Sequence, residues 1–220
     1  MRWVWAGVPL PERADNGGMA HTPARTATPS DVDSLVSVFT SAFLHDPVWG
    51  AAAFPDEGRR AEQAAVMWRV YAASAVRYPW TLVTPGVEAA AVWIPPDGTE
   101  LTAEEAAGLE GRLAAATDPA TARAIMAVGE RFEEARPTEP FFCLTILGTH
   151  ADHRGKGLGM GLVAEGLRRI DELGAPAYLE STNPANLGRY ESVGFGVRDE
   201  IVLAGGQVVT TMWRPPRRLG

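Results

Sequence analysis

Hydrophobic residues recur at helical spacing near the start of the chain. After the polar turn at residues 29–31, apolar positions lie three or four residues apart, so one face of a helix is apolar and packs on a core. These positions are Val32, Leu35, Val36, Phe39 and Phe43. Two prolines and a glycine then interrupt the pattern over residues 45–56. The pattern predicts an edge strand at residues 24–28, a first helix, and then an irregular segment.

The rest of the chain alternates between short apolar runs and longer amphipathic ones. Glycine and proline pairs separate neighbouring apolar runs, which is typical of β-hairpins. Residues 101–135 are alanine-rich with scattered charges and break near residue 118, so they predict two helices that form a solvated lid. The predicted elements are a helix at 58–78, a hairpin at 80–84 and 87–94, a helical insertion at about 101–136, and a closing hairpin at 197–203 and 208–213.

A glycine-rich segment lies between an apolar run (141–147) and an amphipathic run (162–173). It reads His153-Arg154-Gly155-Lys156-Gly157-Leu158-Gly159-Met160-Gly161, with four glycines at alternate positions. Glycines leave backbone N–H groups uncovered, and the start of a helix adds unpaired amides and the positive end of its dipole. Arg154 and Lys156 add positive charge. The segment therefore predicts a strand, a phosphate-binding loop and a helix.

The spacing of the glycines excludes two common nucleotide motifs. G-x-G-x-x-G fails because its last position falls on Met160 or Leu162, and G-x-x-x-x-G-K-[ST] fails because the only lysine precedes the final glycines. The residues of this segment instead match the pattern R-x-x-G-x-G, which is formed by Arg154, Gly157 and Gly159. The charges and uncovered amides of this segment make a ligand that carries phosphate the first expectation.

A second marked segment begins about twenty residues after the loop. Asn183 suits a helix N-cap, Pro184 suits the first helical position, and Gly194 suits the left-handed residue after the last turn. These residues predict a short helix at 184–193. Asn186 and Tyr190 lie four residues apart within it, so an amide and a phenol share one helical face and can point at one ligand.

These two segments resemble the acetyl-CoA site of the GCN5-related N-acetyltransferase (GNAT) superfamily, and most closely puromycin N-acetyltransferase and its actinobacterial relatives. The resemblance extends from residue 136 to about residue 198. The matching stretches are Arg136-Pro137-Thr138-Glu139-Pro140, residues 152–159, Leu179-Glu180-Ser181, Asn186-Leu187 and Tyr190. It implies an α/β (α+β) GNAT fold, with a mixed central sheet of about six or seven strands, splayed at its middle and flanked by helices.

The resemblance also implies which residues bind acetyl-CoA and which act on it. Tyr190 is the expected acid for the departing thiolate, because a phenol with a pKa of about 10 is protonated at neutral pH whereas a thiol has a pKa of about 8.5. Glu180 is the first candidate for the base, ahead of His150. The expected acetyl-CoA contacts are Leu147, Gly148, Thr149, Arg154, Gly155, Lys156, Gly157, Leu158, Gly159, Met160 and Asn186.

The strand before the loop departs from the family in one place. Thr149-His150-Ala151 stands where the family usually has Val-x-Pro, so the rigid proline exit is lost. Backbone groups of Leu147 and Thr149 should still bind the pantetheine arm as a neighbouring strand would. Gly148 predicts a bulge or a close backbone approach, which suits a strand that splays from its neighbour.

Composition narrows the class of protein. The 220 residues, 46% of them hydrophobic, are enough for one core, so we predict a single domain at residues 23–214 and a basic tail at 215–220. Residues 1–22 are either a flexible arm or extra sequence ahead of a start at Met19. The lone Cys143 fits a buried, inert thiol in a cytoplasmic protein. We expect no metal.

Net charge bears on the partners. The formal charge of −7 and the lack of a broad basic stripe argue against nucleic-acid binding, and no apolar run is long enough to cross a membrane. We expect a small-molecule amine as partner, an antibiotic or a metabolite, and a homodimer stays open. The aromatic residues that could overhang the thioester are Phe39, Phe43, Trp49, Trp68 and Tyr71. Two alternatives remain, which are a protein or peptide N-acetyltransferase and a non-catalytic acyl-CoA-binding module.

Overall fold

A computed structural model describes residues 23–217. The predicted arm at residues 1–22 and the last three residues of the predicted tail lie outside the described residues. The helices are α1 (Val32–Phe43), α2 (Arg60–Ala75), α3 (Ala103–Ala116), α4 (Pro119–Ala135), α5 (Leu158–Glu172) and α6 (Leu187–Glu191). The strands are β1 (Arg25–Thr26), β2 (Thr81–Val83), β3 (Ala89–Ile94), β4 (Phe142–Thr149), β5 (Ala177–Ser181), β6 (Gly196–Val202) and β7 (Val208–Arg214).

The strands form one seven-stranded mixed sheet in the order β1-β2-β3-β4-β5-β7-β6. Every neighbouring pair is antiparallel except β4 and β5, which run parallel. These two strands pair only from Phe142 to Leu144 on β4, although β4 continues to Thr149. The sheet therefore splays at its middle, and the mixed, splayed sheet of six or seven strands predicted from the sequence is confirmed.

Helices α1 and α5 cover opposite faces of the sheet next to this splay. A Cβ on Gly148 would meet Val38, Phe39 and Ala42 of α1 at 3.2–3.3 Å. A Cβ on Gly159 of α5 would lie 3.0 Å from Thr149 Oγ1. Because successive strand residues point to opposite faces, Gly148 and Thr149 mark the two sides. Both helices approach β4 closely at the point where it leaves β5.

The sequence predicted either a bulge or a close backbone approach at Gly148, and the structure shows a close approach by α1. The bulge lies elsewhere on β4: Val92 pairs with Ile146 and Trp93 pairs with Leu144, so Thr145 is the extra residue. A bulge bends and twists its strand locally. It occurs one residue beyond the last pairing with β5, where β4 turns away.

Helices α3 and α4 form the predicted insertion and break at the predicted place. Thr102 and Asp118 cap their first turns through side-chain oxygens that accept backbone N–H groups. Their inner faces are buried at Leu109, Leu113, Ala122 and Ile125, so the pair packs on the core and only its outer face is solvated. Among residues 23–217, no helix combines the length and the apolar character needed to cross a membrane.

Candidate acetyl-CoA and acceptor site

The splay between β4 and β5 opens into a cavity of about 620 Å³. Its walls come from the end of α1, the end of β4, the glycine loop, the start of α5, and α6. Of the residues predicted to contact acetyl-CoA, those that line this cavity are Leu147, Thr149, Arg154, Gly155, Gly157, Leu158, Gly159, Met160 and Asn186. The structure thus brings the two sequence segments together on one cavity.

The backbone amides of the glycine loop have no acceptor among the described residues. Gly161 is the first residue of this stretch whose N–H bonds within the helix, to the carbonyl of Gly157. The six N–H groups of residues 155–160 precede it and make no hydrogen bond within residues 23–217. Gly155 and Gly157 have φ of 79° and 75°, a conformation that residues with a Cβ rarely adopt. Such a run of free amides at a helix start suits an anionic group.

The free edge of β4 offers a second set of main-chain groups. The N–H of His150 bonds to the carbonyl of Glu88 on the β3 side. Because antiparallel pairing alternates, Gly148 also faces β3, whereas Leu147 and Thr149 direct their main-chain groups toward the gap left by β5. This geometry agrees with the roles predicted for Leu147 and Thr149. Gly148, predicted as a contact, does not line the cavity and instead packs against α1.

The two cations of the loop have different surroundings. Arg154 lines the cavity, and its Nη2 donates to the carbonyls of Ser41 and Ala42 at 3.1 and 3.0 Å, which ties the loop to the end of α1. Lys156 does not line the cavity, and its Nζ lies 3.3 Å from His153 Nδ1. Arg189, which the sequence analysis did not select, adds an exposed cation to the cavity wall.

Tyr190 lies where the large cavity meets a smaller inner pocket and lines both. Burial raises the pKa of its phenol to about 12, so the hydroxyl is protonated at neutral pH. Asn186 also lines both spaces, as expected from its position four residues earlier. Asn183 accepts the N–H of Ala185 and caps the turn, as predicted, and it also lines the large cavity.

The inner pocket measures about 60 Å³ and extends from Tyr190 into the splay. Trp49 and Phe132 form part of its wall, with ring centroids 5.7 Å apart in an edge contact. Of the aromatic residues predicted to overhang the thioester, Phe43 and Trp49 line this pocket, whereas Phe39 and Trp68 are buried in the core. Tyr71 packs against Trp68. The pocket thus combines aromatic walls with the polar ends of β4 and β5.

Glu180, the predicted base, also lines the inner pocket. Its side chain is 4% exposed, and its Oε1 accepts a hydrogen bond from Arg136 Nε at 3.1 Å. Burial raises its pKa to about 7, although the Arg136 guanidinium acts in the opposite direction. A carboxylate with this pKa can both accept and release a proton near neutral pH. His150 lines neither space, and its Nδ1 faces Asp152.

Asp46 and Phe132 line the inner pocket but are not among the predicted site residues. Asp46 is buried; its Oδ1 accepts the N–H groups of Val48 and Trp49, and its Oδ2 accepts the Thr182 hydroxyl at 2.7 Å. The Asp46-Pro47 pair was a readable signal, because an acidic cap followed by proline starts a helical turn. Nothing local marks Phe132, which reaches the pocket only because α4 packs beside it. In residues 23–217 no group of three or more metal-ligating side chains occurs.

Comparison with known proteins places this geometry in context. No family model matches the chain. A mycothiol acetyltransferase from Propionibacterium freudenreichii subsp. shermanii is 27% identical over 196 residues, which cover 86% of this chain but 48% of that protein. The chain therefore spans about half the length of this curated relative.

Solved structures share the architecture along nearly the whole chain. The "histone acetyltransferase HPA2 and related acetyltransferase" from Corynebacterium glutamicum has a TM-score of 0.65 at 23% identity, covering 90% of this chain and 97% of that one. Arylalkylamine N-acetyltransferase 2 from Aedes aegypti has a TM-score of 0.64 at 14% identity, with 89% and 99% coverage. At such identities the likeness establishes the fold. The chain thus has the fold of these acetyltransferases, and its sequence is similar to that of a mycothiol acetyltransferase.

Proposed function

We propose that this protein is an acetyl-CoA-dependent N-acetyltransferase that acetylates a primary amine of a small molecule by direct transfer in a ternary complex. One observation carries the proposal. The cavity lined by the glycine loop, whose amides at residues 155–160 are free, shares Tyr190 with an inner pocket that Glu180 also lines. An anion-binding loop, a protonated acid and a buried carboxylate lie along one path.

Acetyl-CoA fits the groups that line this path. The free amides of residues 155–160, with Arg154 and Arg189, suit its diphosphate. The unpaired edge of β4 at Leu147 and Thr149 suits the amides of its pantetheine arm. When bound there, acetyl-CoA supplies an acetyl group activated as a thioester. The chain itself positions the two reactants, which is a large part of the acceleration of a two-substrate reaction.

Tyr190 and Glu180 have environments that suit opposite proton transfers. As the new N–C bond forms and the C–S bond breaks, the amine loses a proton and the thiolate gains one. Glu180, with a pKa of about 7, accepts a proton from the amine, directly or through water. Tyr190, with a pKa of about 12, donates its hydrogen to the sulfur. The amine attacks in its neutral form. Glu180 afterwards releases its proton to solvent and the Tyr190 phenolate takes one up, so protons and charges balance over the turnover.

The inner pocket supports an acceptor with a compact amine end. Its volume of about 60 Å³ holds only a few heavy atoms, and Trp49 and Phe132 narrow it further. Asp46 and Glu180 give the lining negative charge, which favours a cationic amine. The mycothiol acetyltransferase relative is consistent with a small-molecule acceptor. An antibiotic or a metabolite amine remains our proposal, as does the closer likeness to puromycin N-acetyltransferase.

The test is release of free thiol from acetyl-CoA with a panel of small amines. We expect turnover by the native protein, and a fall in kcat of about 10²- to 10⁴-fold in Tyr190→Phe with an acetyl-CoA KM near that of the native protein. Tyr78→Phe is the matched control, because both tyrosines are 8% exposed but the Tyr78 hydroxyl bonds the backbone of Thr99. It should keep native kcat.

Three outcomes separate the candidate functions. Turnover of peptides but not of small amines would favour the peptide N-acetyltransferase. Tight CoA binding without turnover of any amine, and with Tyr190→Phe indistinguishable from native, would favour the non-catalytic module. The absence of acetyl-CoA binding would reject both the proposal and that module.

A further inference from the structure

A cluster of three charged side chains lies beside the inner pocket. Arg136 follows α4, Glu100 precedes α3, and Glu180 is in β5, so three distant parts of the chain meet here. Their side chains are 21%, 25% and 4% exposed. Glu180 is the member that lines the pocket. The other two line neither the pocket nor the large cavity, and they take no part in the proposed proton transfers.

Arg136 bridges the two carboxylates. Its Nε donates to Glu180 Oε1 at 3.1 Å, and its Nη2 donates to Glu100 Oε1. A guanidinium has a planar, rigid set of donors, so a bond to each carboxylate restrains the orientation of both. The bond uses Oε1 of Glu180, whereas Oε2 is approached by the Cys143 Sγ at 3.9 Å, a weak contact.

We propose that Arg136 is a positioning residue that favours the ionised form of Glu180 and fixes its orientation in the wall of the inner pocket, and that Glu100 moderates this effect by sharing the guanidinium. The inference rests on the proposed function, because it assigns Glu180 as the base. The inference gives a role in the reaction to Arg136 and Glu100, two residues that line neither space and so touch no substrate.

The ionisable groups around Glu180 act in different directions. Burial raises its pKa, Arg136 lowers it, Glu100 raises it, and the Tyr178 hydroxyl lowers it. The Cys143 thiol is fully buried with a raised pKa, so it remains neutral. The charged or titratable groups that face the cluster or share the pocket are Arg136, Glu100, Glu180, Tyr178, Cys143, Asp46, Tyr190, Tyr71 and Glu133. Arg136 is the cation bonded to Glu180, so its loss should leave Glu180 protonated at neutral pH.

The experiment compares pH profiles of kcat/KM for the native protein, Arg136→Met, Arg136→Lys and Glu100→Gln. In Arg136→Met we expect the acid limb to move to higher pH by about one unit or more. From a native midpoint of about 7, this is about a fivefold or larger loss of kcat/KM at pH 7, which is partly recovered at high pH. Arg136→Lys restores the charge and should return the limb toward the native position. Glu100→Gln removes a like charge and should move the limb to lower pH.

A second readout does not depend on activity. The side-chain carboxyl of Glu180 can be followed by carbon NMR in protein labelled at glutamate, with its signal assigned by its loss in Glu180→Gln. Its titration midpoint should rise in Arg136→Met and fall in Glu100→Gln. If Arg136→Met does not fold, Arg136→Lys and Glu100→Gln still report the coupling.

The outcomes distinguish this inference from the proposed function. If the midpoints shift as expected but the native protein acetylates no amine, the proposed function is wrong. In that case the assignment of Glu180 as the base is wrong as well. If amines are acetylated but the profile and midpoint of Glu100→Gln and Arg136→Lys equal those of the native protein, the positioning role is overturned. Acetyl-CoA affinity should be unchanged in all three variants, since none of these residues lines the large cavity.

Discussion

Burial shifts the two candidate catalytic groups in the same direction but with opposite consequences. It raises the pKa of the Tyr190 phenol to about 12, which keeps this group an acid at neutral pH. It raises the pKa of the Glu180 carboxyl from 4.5 to about 7, which makes it a stronger base than an exposed glutamate. At neutral pH the phenol therefore remains protonated while the carboxylate can take up a proton, which is what an acid and a base in one site require.

The raised pKa of Glu180 predicts how stability depends on pH. Because the folded-state pKa lies above the ordinary value of 4.5, the folded protein holds more protons than the unfolded chain between pH 4.5 and 7. The contribution of Glu180 to the free energy of unfolding is thus present below pH 4.5 and falls as pH rises through about 7, by about 3 kcal/mol.

Chemical denaturation of native protein and Glu180→Gln between pH 4.5 and 8 measures this contribution. The native free energy of unfolding, taken relative to the variant, should decline across the window. Glu57→Gln, at an exposed position, is the control and should run parallel to the native protein. A constant difference between native protein and Glu180→Gln would show that Glu180 titrates alike in both states.

At the scale of elements, the glycine loop and helix α5 depend on two different properties of glycine. Gly155 and Gly157 need a left-handed backbone, and a Cβ added at either would have no neighbour within 4 Å, so their requirement is conformational. Gly166 instead needs space, because a Cβ there would lie 2.3 Å from the Trp93 indole nitrogen. The left-handed backbone of Gly155 and Gly157 shapes the candidate anion site, and the missing side chain of Gly166 allows α5 to pack closely on β3.

Gly157→Ala should weaken binding of acetyl-CoA. A Cβ at φ of 75° costs about 1–2 kcal/mol, and the loop relieves this strain by rotating its amides. Gly174→Ala is a matched control, because Gly174 has φ of 62°, equally open surroundings, and a place at the far end of α5. Denaturation should show similar losses of stability, whereas calorimetric titration should show at least about a tenfold loss of acetyl-CoA affinity in Gly157→Ala only. Equal affinities in the two variants would contradict the role of the loop.

Two further glycine substitutions should change stability in opposite directions. Gly166→Ala forces α5 away from the fully buried Trp93 and should destabilise by about 1–3 kcal/mol. Gly129→Ala, in α4 with nothing within 4 Å, should stabilise by about 0.5–1 kcal/mol because alanine favours helices. Urea denaturation of both variants measures these effects. If Gly166→Ala has the same free energy of unfolding as the native protein, α5 does not pack on Trp93 as described.

At the scale of the whole molecule, the sequence predicted the parts that depend on local patterns. Helical spacing located α1, a break at Asp118 separated α3 from α4, and the offset of Asn186 and Tyr190 placed both side chains on one cavity. The splayed sheet came from the resemblance. These features follow from a few neighbouring residues or from a motif, which is why they were accessible before the fold was known.

Other features depend on contacts between distant segments. The bond between Arg136 and Glu180 joins residues 44 positions apart, and the Asp46 bond to Thr182 joins residues 136 apart. Phe132 reaches the inner pocket only through the packing of α4. No local pattern specifies such pairs, since each depends on how several elements pack. The extent of the domain, by contrast, stays a prediction.

The binding role of the glycine loop is tested most directly by hydrogen exchange of backbone amides with and without saturating acetyl-CoA. We expect slower exchange on binding at residues 155–160 and at the free edge of β4, around Leu147 and Thr149, because these donors gain acceptors. The amides at the far end of α5, around Gly174, should exchange at an unchanged rate. Binding of acetyl-CoA that leaves residues 155–160 unprotected would contradict the central claim.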